Sequence, residues 1–209
     1  MVIQDLKPSQ RVEGRWLAML EDGSILRIGE NEVIDFALYK GRELSDDEAE
    51  QLLDSVRRSS LKEKAVELLA RKTRSRRELE RKLREWGAAE PESAAICGRM
   101  EELGYLNDAA YAAQVVRHYC AKGFGEKKLR DELYRRGVPR DLWDEALEQA
   151  EDPAEALDTF VAKKLAGKSP DRKELQKVSS ALARRGYSWS DINDALRRYG
   201  AETGEDFET

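Results

Sequence analysis

An internal repeat of about fifty residues constrains the fold of this chain more than any other feature of the sequence. Each copy has an apolar residue, a second apolar residue four positions later, and a glycine four positions after that. The copies are Leu79, Leu83 and Gly87; Leu129, Leu133 and Gly137; and Val178, Leu182 and Gly186. Residues four apart share one face of an α-helix, and glycine readily adopts the left-handed conformation that ends a helix. Each copy therefore predicts a helix that buries one face and stops at its glycine.

Apolar stripes on both sides of each copy predict two further helices per repeat. The stripes before the copies are Ala65/Leu68/Leu69, Ala112/Val115/Val116/Tyr119 and Leu157/Phe160/Val161/Leu165, and those after them are Ile96/Met100/Leu103, Leu142/Trp143/Ala146/Leu147 and Ile192/Ala195/Leu196. We therefore predict a mainly α fold, an elongated and curved array of three tandem three-helix repeats at 61–106, 107–150 and 153–200. A connecting helix at 45–60 would precede this array, and an acidic, flexible tail at 201–209 would come after it.

The first 44 residues are different and predict a small β-hairpin extension. Val12, Trp16, Ala18 and Leu20 alternate along a strand over 11–20, and Asp22-Gly23 then favours a tight turn before a second strand. A hairpin of this size is marginal alone, so it should pack on the helices that come after it in the chain. Three capping boxes mark predicted helix starts: Ser45 with Glu48, Ser60 with Glu63, and Ser75 with Glu78.

The charge pattern indicates a surface for a polyanion. The 209 residues carry a net charge of −5, yet residues 57–137 hold 20 basic and 13 acidic side chains. Solvated helices with surplus Lys and Arg would give the same pattern, so charge alone leaves both interpretations open. No apolar run reaches the length of about 18 residues that a membrane span needs, and two cysteines fit a reducing compartment. We expect a cytoplasmic monomer with no membrane partner.

No catalytic, metal or cofactor motif stands out in the sequence. His118 is the sole histidine, and Cys97 and Cys120 lack the spacing of a zinc site. Gly167-Lys168-Ser169 resembles the end of a phosphate-binding loop, but Ala162 stands where that motif needs a glycine. The turn Gly123-Phe124-Gly125 is too short for a dinucleotide fingerprint. We therefore predict a protein that is not an enzyme and that uses no cofactor.

Helical geometry selects one surface, which we call the basic stripe. With Leu79 and Leu83 facing inward, Arg77, Arg81 and Arg84 cluster on the opposite side of the helix. The equivalent positions are Lys127, Asp131 and Tyr134 in the second repeat and the uncharged Gln176, Ser180 and Ala183 in the third. Solubilising charge is the alternative explanation, and the partner would be nucleic acid or protein. The candidate binding residues are Arg71, Lys72, Arg74, Arg76, Arg77, Arg81, Arg84, Lys122, Lys127, Lys128, Arg130, Tyr134 and Arg135.

A series of motifs occurs in a fixed order along the helical part of the chain: Ser75-x-x-Glu78-Leu79-x-x-Lys82-Leu83, then Gly104-Tyr105-Leu106-Asn107-Asp108-x-x-Tyr111-Ala112, then Lys122-Gly123-x-Gly125, then Leu129-x-x-Glu132-Leu133-x-x-x-Gly137-Val138. This series resembles the signature of the RecX family, bacterial regulators of RecA recombinase. The resemblance covers about residues 60–200, is loosest in the third repeat, and is specific through the order of its pieces.

The resemblance implies a non-enzymatic negative regulator in DNA repair, homologous recombination and the SOS response. Such proteins bind the groove of the RecA–single-stranded-DNA filament. They inhibit its ATPase, strand exchange and co-protease activity by blocking filament growth or promoting disassembly, and they bind single-stranded DNA weakly. The acidic ends of this chain predict tighter binding to the filament than to free DNA. The alternatives are a DNA-binding helical-repeat protein that acts independently of RecA and a helical adaptor that contacts only proteins.

Overall fold

The computed structural model describes residues 1–150, 152–166 and 171–203, with the backbone alone for the last three. Three strands come first: β1 (Ile3–Pro8), β2 (Arg15–Leu20) and β3 (Ile25–Gly29). The helices come next: α1 (Glu30–Asp35), α2 (Asp46–Arg71), α3 (Arg76–Glu85), α4 (Glu90–Glu102), α5 (Asp108–Cys120), α6 (Glu126–Arg136), a 3-10 turn (Arg140–Leu142), α7 (Trp143–Glu148), α8 (Ala154–Leu165), α9 (Arg172–Arg184) and α10 (Trp189–Thr203). This pattern confirms a mainly α fold with a small N-terminal β element.

The helices and strands divide into two compact units. One unit holds residues 1–71 and 83–96, and the other holds residues 72–82 and the chain from 97 onward. The elongated, curved shape and the repeat boundaries remain predictions. Of the predicted tail, 204–209 lies outside the described residues, as does Gly167-Lys168-Ser169, while α10 continues to Thr203.

The N-terminal sheet has one more strand than the predicted hairpin. It is antiparallel in the order β1-β2-β3, and Ala18 of β2 pairs with Leu6 on one side and Leu26 on the other. The strand predicted over 11–20 begins only at Arg15, because Gly14 has a φ of +72° and turns the chain. Val12 is consequently 40% exposed and lies outside the strand, so its predicted place in that strand is wrong.

The sheet packs on α2, as its small size requires. Ile3, Ala18 and Ile28 form one buried cluster with Leu52 of α2. Beneath the sheet, the buried carboxylate of Glu32 accepts hydrogen bonds from Ser55 at 3.1 Å, from Ser59, and from the Gly29 backbone at 3.0 Å. Burial raises the pKa of Glu32, but these hydrogen bonds outweigh it and hold the pKa below the ordinary value. The sheet and α2 therefore form one hydrophobic and polar core.

A single helix replaces the predicted break at residue 60. The connecting helix at 45–60 and the first helix of the first repeat are one continuous α2, so the capping box at Ser60 and Glu63 does not start a helix. The chain has no Gly or Pro there, and the inward face continues from Leu52 through the half-buried Val56 and Ser59 to Leu61 and beyond. The other two capping boxes are confirmed by reciprocal hydrogen bonds, Ser45 with Glu48 and Ser75 with Glu78.

The repeat pattern is confirmed by burial and by backbone conformation. All six apolar residues of the three copies are buried, at 4% exposure or less. Gly87, Gly137 and Gly186 have φ angles of +90°, +69° and +92°, the left-handed conformation that closes a helix. Among the flanking stripes, Leu103 is the exception, since it is 48% exposed at the end of α4.

The middle helices of the three repeats are α3, α6 and α9, and the start of one docks on the end of the next. The Gly125 backbone N–H before α6 donates to the Arg185 carbonyl at 3.0 Å, and that of Lys127 donates to the Gly186 carbonyl at 3.1 Å. In the same way, before α3, the Ser75 hydroxyl donates to the Arg136 carbonyl, and the side chain of Arg77 lies against Gly137. Both contacts place a residue near the start of one middle helix beside the closing glycine of the next.

A methyl group at Gly125 should break the junction between the start of α6 and the end of α9. A Cβ there would lie 2.6 Å from the backbone of Gly186, although the φ of −84° suits any residue. We expect Gly125→Ala to lower the free energy of unfolding by about 1–3 kcal/mol in urea titrations, because the backbone must move. Gly98→Ala is the matched control, since its Cβ meets nothing within 4 Å inside α4, and it should stabilise by about 0.5–1 kcal/mol. Equal effects of the two substitutions would contradict the docking contact.

Candidate nucleic-acid interface

Several predicted binding residues are engaged in ion pairs within the fold. The Arg76 guanidinium bonds Glu80 at 2.9 Å and Glu101 at 2.5 Å. On α6, Arg130 bonds Glu126 at 2.7 Å, and its contact with Asp144 is 3.3 Å. Lys128 and Arg135 both bond the same buried carboxylate, that of Glu132, at 3.2 and 3.1 Å. The hydrogen bonds that Arg76 donates to Glu101 and Arg130 donates to Glu126 raise the pKa values of these two arginines. These cations already have anionic partners.

Other members of the basic stripe are exposed. Arg77 and Lys127 are both exposed and form no ion pair with any residue that the structure describes. They occupy the same position in α3 and α6, each beside the closing glycine of the following repeat. Tyr134, one turn from the end of α6, is 63% exposed. The remaining exposed candidates are Arg71, which lies 3.7 Å from Glu67, and Lys72, Arg81, Arg84 and Lys122. Arg74 is half-buried, and its Nε has no hydrogen-bond partner in the described part of the chain.

A buried polar network joins α3, α5 and α6 beside these cations. The Tyr111 hydroxyl donates to Glu78 at 3.0 Å and accepts from Nη1 of Arg136 at 2.9 Å. Nη2 of Arg136 lies 3.5 Å from the Tyr119 hydroxyl. The Arg136 Nε and the Glu132 Oε2 are both buried and face each other at 3.7 Å. The network fixes the Arg136 guanidinium in place at the end of α6.

Glu132 is the anionic centre of this network. It is 2% exposed and has Lys128, Arg135 and Arg136 around it. Burial alone would raise its pKa, but hydrogen bonds from Tyr119 and Lys128 and the charge of Arg135 outweigh burial, so the pKa lies below the ordinary value. The carboxylate is therefore charged at neutral pH and stabilises the cations around it.

An open cleft of about 460 Å³ lies along the outer side of α5, and it was not predicted from the sequence. Its lining comes from the segment before α3, from α5 and from the end of α6: Lys72, Thr73, Tyr111, Gln114, Val115, Arg117, His118, Tyr119 and Arg136. Four of these side chains carry or can take a positive charge, and no carboxylate is among them. Only Lys72 belongs to the predicted binding residues. The adjacent pair Arg117-His118 on an exposed helical face is the sequence signal that could have indicated this cleft.

The cysteines and the acidic groups form no second site in the described residues. No group of three or more His, Cys, Asp or Glu side chains is placed to hold a metal ion among them. Both cysteines are free thiols; Cys97 is fully buried, and burial raises its pKa to about 12. Within the described ranges, no helix combines the length and the apolar character that a membrane crossing requires.

Repeated three-helix units with docked glycines define a helical-repeat protein. Three family models match the chain in order: the first three-helix domain of RecX at residues 62–100, the second at 107–147 and the third at 150–196. The chain belongs to the RecX family. The N-terminal sheet lies outside all three matches.

Relatives agree with this assignment, and solved structures share the fold. The regulatory protein RecX of Vibrio parahaemolyticus is 36% identical over 139 residues, which are 66% of this chain and 90% of that protein. The regulatory protein RecX of Pseudomonas entomophila is 35% identical over 134 residues, which are 63% of this chain and 86% of that protein. A crystal structure of a regulatory protein RecX has the same fold, with a TM-score of 0.73 at 24% identity over 93% of this chain and 100% of that one. The crystal structure of RecX from Lactobacillus salivarius gives a TM-score of 0.64 at 24% identity, and the match covers 69% of this chain and 97% of that one.

Replacing Glu132 should destabilise the protein in a pH-dependent way. A carboxylate whose pKa is lowered on folding stabilises above its ordinary pKa of about 4.3 and loses that contribution as the pH falls through its folded value. We expect Glu132→Gln to lower the unfolding free energy by about 1–3 kcal/mol at pH 7, because it removes the buried counter-charge of the cations around it. The difference from the unmodified protein should shrink below about pH 4. Urea titrations across this acidic range and at neutral pH measure it, and a constant difference would contradict the role of the charge.

The two thiols should differ in reactivity. Cys97 is buried with a pKa of about 12, whereas Cys120 is partly exposed. We expect one thiol per native chain to react rapidly with a disulfide reagent at about pH 8, and the second only on unfolding, because the thiolate is the reactive form. Cys120→Ser should remove the fast reaction, and Cys97→Ser should leave it. Two fast thiols in the native protein would contradict the packing around Cys97.

Proposed function

We propose that this protein is a cytoplasmic, monomeric and non-enzymatic negative regulator of RecA recombinase. It binds the groove of the RecA–single-stranded-DNA filament and inhibits ATPase, strand exchange and co-protease activity, by blocking filament growth or promoting disassembly. Membership of the RecX family supports the regulatory role. The motifs at 75–83 and 104–138 support RecA as the partner through their resemblance to that family.

The observation that carries the binding surface is the pair of exposed cations at equivalent positions of two repeats. Arg77 and Lys127 each stand at a repeat junction, and neither has an anionic partner within the described residues. A polyanion with regularly spaced charge, such as a DNA strand or an acidic rim along a filament, suits cations that recur with the repeat. The neighbouring Arg76, Arg130 and Arg135 contribute less, because internal carboxylates already neutralise them.

The alternative, DNA binding independent of RecA, uses the same cations. It differs in its prediction for free DNA, where it requires affinity and a steep salt dependence without any RecA. The basic residues that are already paired within the fold argue against a large number of phosphate contacts. We therefore keep the filament as the target and treat free single-stranded DNA as a weak ligand.

The ATPase of RecA on single-stranded DNA tests this proposal. We expect the protein to inhibit it at less than one molecule per RecA. The double variant Arg77→Glu/Lys127→Glu should need about ten times more protein for half-inhibition, since two contacts become repulsive. The matched control is Lys163→Glu/Arg184→Glu in the third repeat, which changes the net charge equally at two exposed residues. Circular dichroism confirms that both variants fold.

Two outcomes would contradict the proposal. The absence of inhibition by the unmodified protein, with RecA shown to be active, would remove the regulatory role. Equal losses in the double variant and in its control would show that net charge matters and the position of the stripe does not.

A further inference from the structure

The cleft along α5 has a lining that suits a phosphorylated ligand. Lys72, Arg117 and Arg136 bring three fixed positive charges to a cleft of about 460 Å³, and His118 adds a fourth when protonated. No acidic side chain lines it among the described residues. Guanidinium groups and lysines are the usual ligands for phosphate oxygens, and arginine can bind them through two parallel hydrogen bonds.

The carboxylates nearest to the cleft are engaged with other groups. Glu78 accepts hydrogen bonds from the Tyr111 hydroxyl and from the Ser75 backbone at 3.2 Å. Glu132 bonds Lys128 and Arg135, which do not line the cleft, and its Oε2 lies 3.7 Å from the Nε of Arg136, which does. The Nη atoms of Arg136 bond the tyrosine hydroxyls, so neutral groups hold that side of the guanidinium at the cleft. Lys72 and Arg117 form no ion pair with any residue that the structure describes, so their positive charges are not cancelled.

The rest of the lining favours a nucleotide over a bare phosphate ion. Val115, Tyr111 and Tyr119 add apolar and aromatic surface. The Thr73 hydroxyl donates to Oε1 of Gln114 at 2.8 Å, which fixes the amide and leaves its two N–H donors for a base or sugar oxygen. The volume lies in the range of about 300–1,000 Å³ that small-molecule sites occupy, above what one phosphate group requires.

We propose that this cleft binds a nucleotide unit, with the phosphate on Lys72, Arg117 and Arg136 and the nucleoside against Val115 and Gln114. The unit comes either from a single-stranded DNA chain or from a free nucleotide. The inference deepens the proposed function and rests on it where a DNA strand is the source. It adds a contact on α5 to the basic stripe of α3 and α6.

His118 reports on this cleft directly because it is the only histidine in the chain. Its ring lies edge-on to Tyr119 at 5.3 Å between centroids and lines the cleft. The imidazole C–H signals in a carbon–proton NMR spectrum therefore belong to one residue at one site. The titrations use the full chain without RecA, at fixed pH, with a short oligothymidylate, with thymidine monophosphate, and with inorganic phosphate.

We expect the His118 signals to shift saturably with the oligonucleotide. Arg117→Glu should weaken that apparent affinity about tenfold, while Lys163→Glu, an equal charge change at an exposed residue of α8, should weaken it less than about twofold. A saturable shift with the mononucleotide as well would identify a free nucleotide as a ligand. A shift with the oligonucleotide alone would identify the strand. Either result supports the proposal.

Three results would overturn it. The first is no shift of the His118 signals with either nucleotide ligand. The second is an equal loss of affinity in Arg117→Glu and Lys163→Glu, which would mean a general charge effect. The third is an equal response to inorganic phosphate, which would mean a simple anion site. Because these titrations contain no RecA, a negative result here leaves the regulation of RecA to be judged by the ATPase titration alone.

Discussion

The close approach of two backbones where the start of α6 meets the end of α9 is a contact on which the second unit depends. At Gly125 and Gly186 a methyl group on either residue would collide with the main chain of the other segment, at 2.5–2.6 Å. The contact is possible because both residues are glycine and because Gly186 closes α9 in a left-handed conformation. It places Lys127 and Lys128 beside the next repeat, since the Lys127 N–H donates to the Gly186 carbonyl and the Lys128 backbone lies against Gly186. At Gly137 the neighbour is instead the side chain of Arg77. The two exposed cations thus stand at equivalent junctions through different contacts.

The arginines before Gly137 and Gly186 stabilise their two junctions in different manners. Arg136 extends into a polar network and bonds the hydroxyls of Tyr111 and Tyr119. Arg185, its equivalent one repeat later, donates to the Gly123 carbonyl at 3.2 Å and lies over the rings of Phe124 and Phe160 at 5.8 and 4.8 Å. One junction thus relies on charge and hydrogen bonds, and the other on cation–π contacts. The first has the buried carboxylate of Glu132 beside it, so acid should weaken the first junction before the second.

Local rules predicted the regular parts of this fold and missed the parts that depend on tertiary contacts. Apolar spacing and glycine identified the middle helices, because helix geometry and the left-handed conformation are properties of neighbouring residues. Strand β1 was not predicted, because its pairing with β2 depends on a contact across the turn between them and not on the residues of β1 alone. The break at Ser60 was wrong because a capping box also fits inside a helix when buried residues continue past it. The sequence predicted which cations are candidates and on which helix face they lie. It did not predict which of them form ion pairs with carboxylates of the fold. Whether Arg76 is neutralised depends on Glu101, which comes from another helix.

Under the proposed function, the partition of cations into paired and exposed groups would let an acidic protein bind a polyanion selectively. Each arginine that bonds a carboxylate in the fold adds stability to a helix and little attraction at a distance, because the pair is neutral overall. The attraction then rests on a small set at fixed positions, Arg77 and Lys127 on the stripe and Lys72 and Arg117 at the cleft. A few fixed charges give weak binding to a flexible single strand, which must lose conformational freedom to meet them all. A strand already extended in a filament loses less freedom on binding. The same few contacts would therefore be worth more there, so the proposed selectivity for the filament would come from its order as well as from its charge.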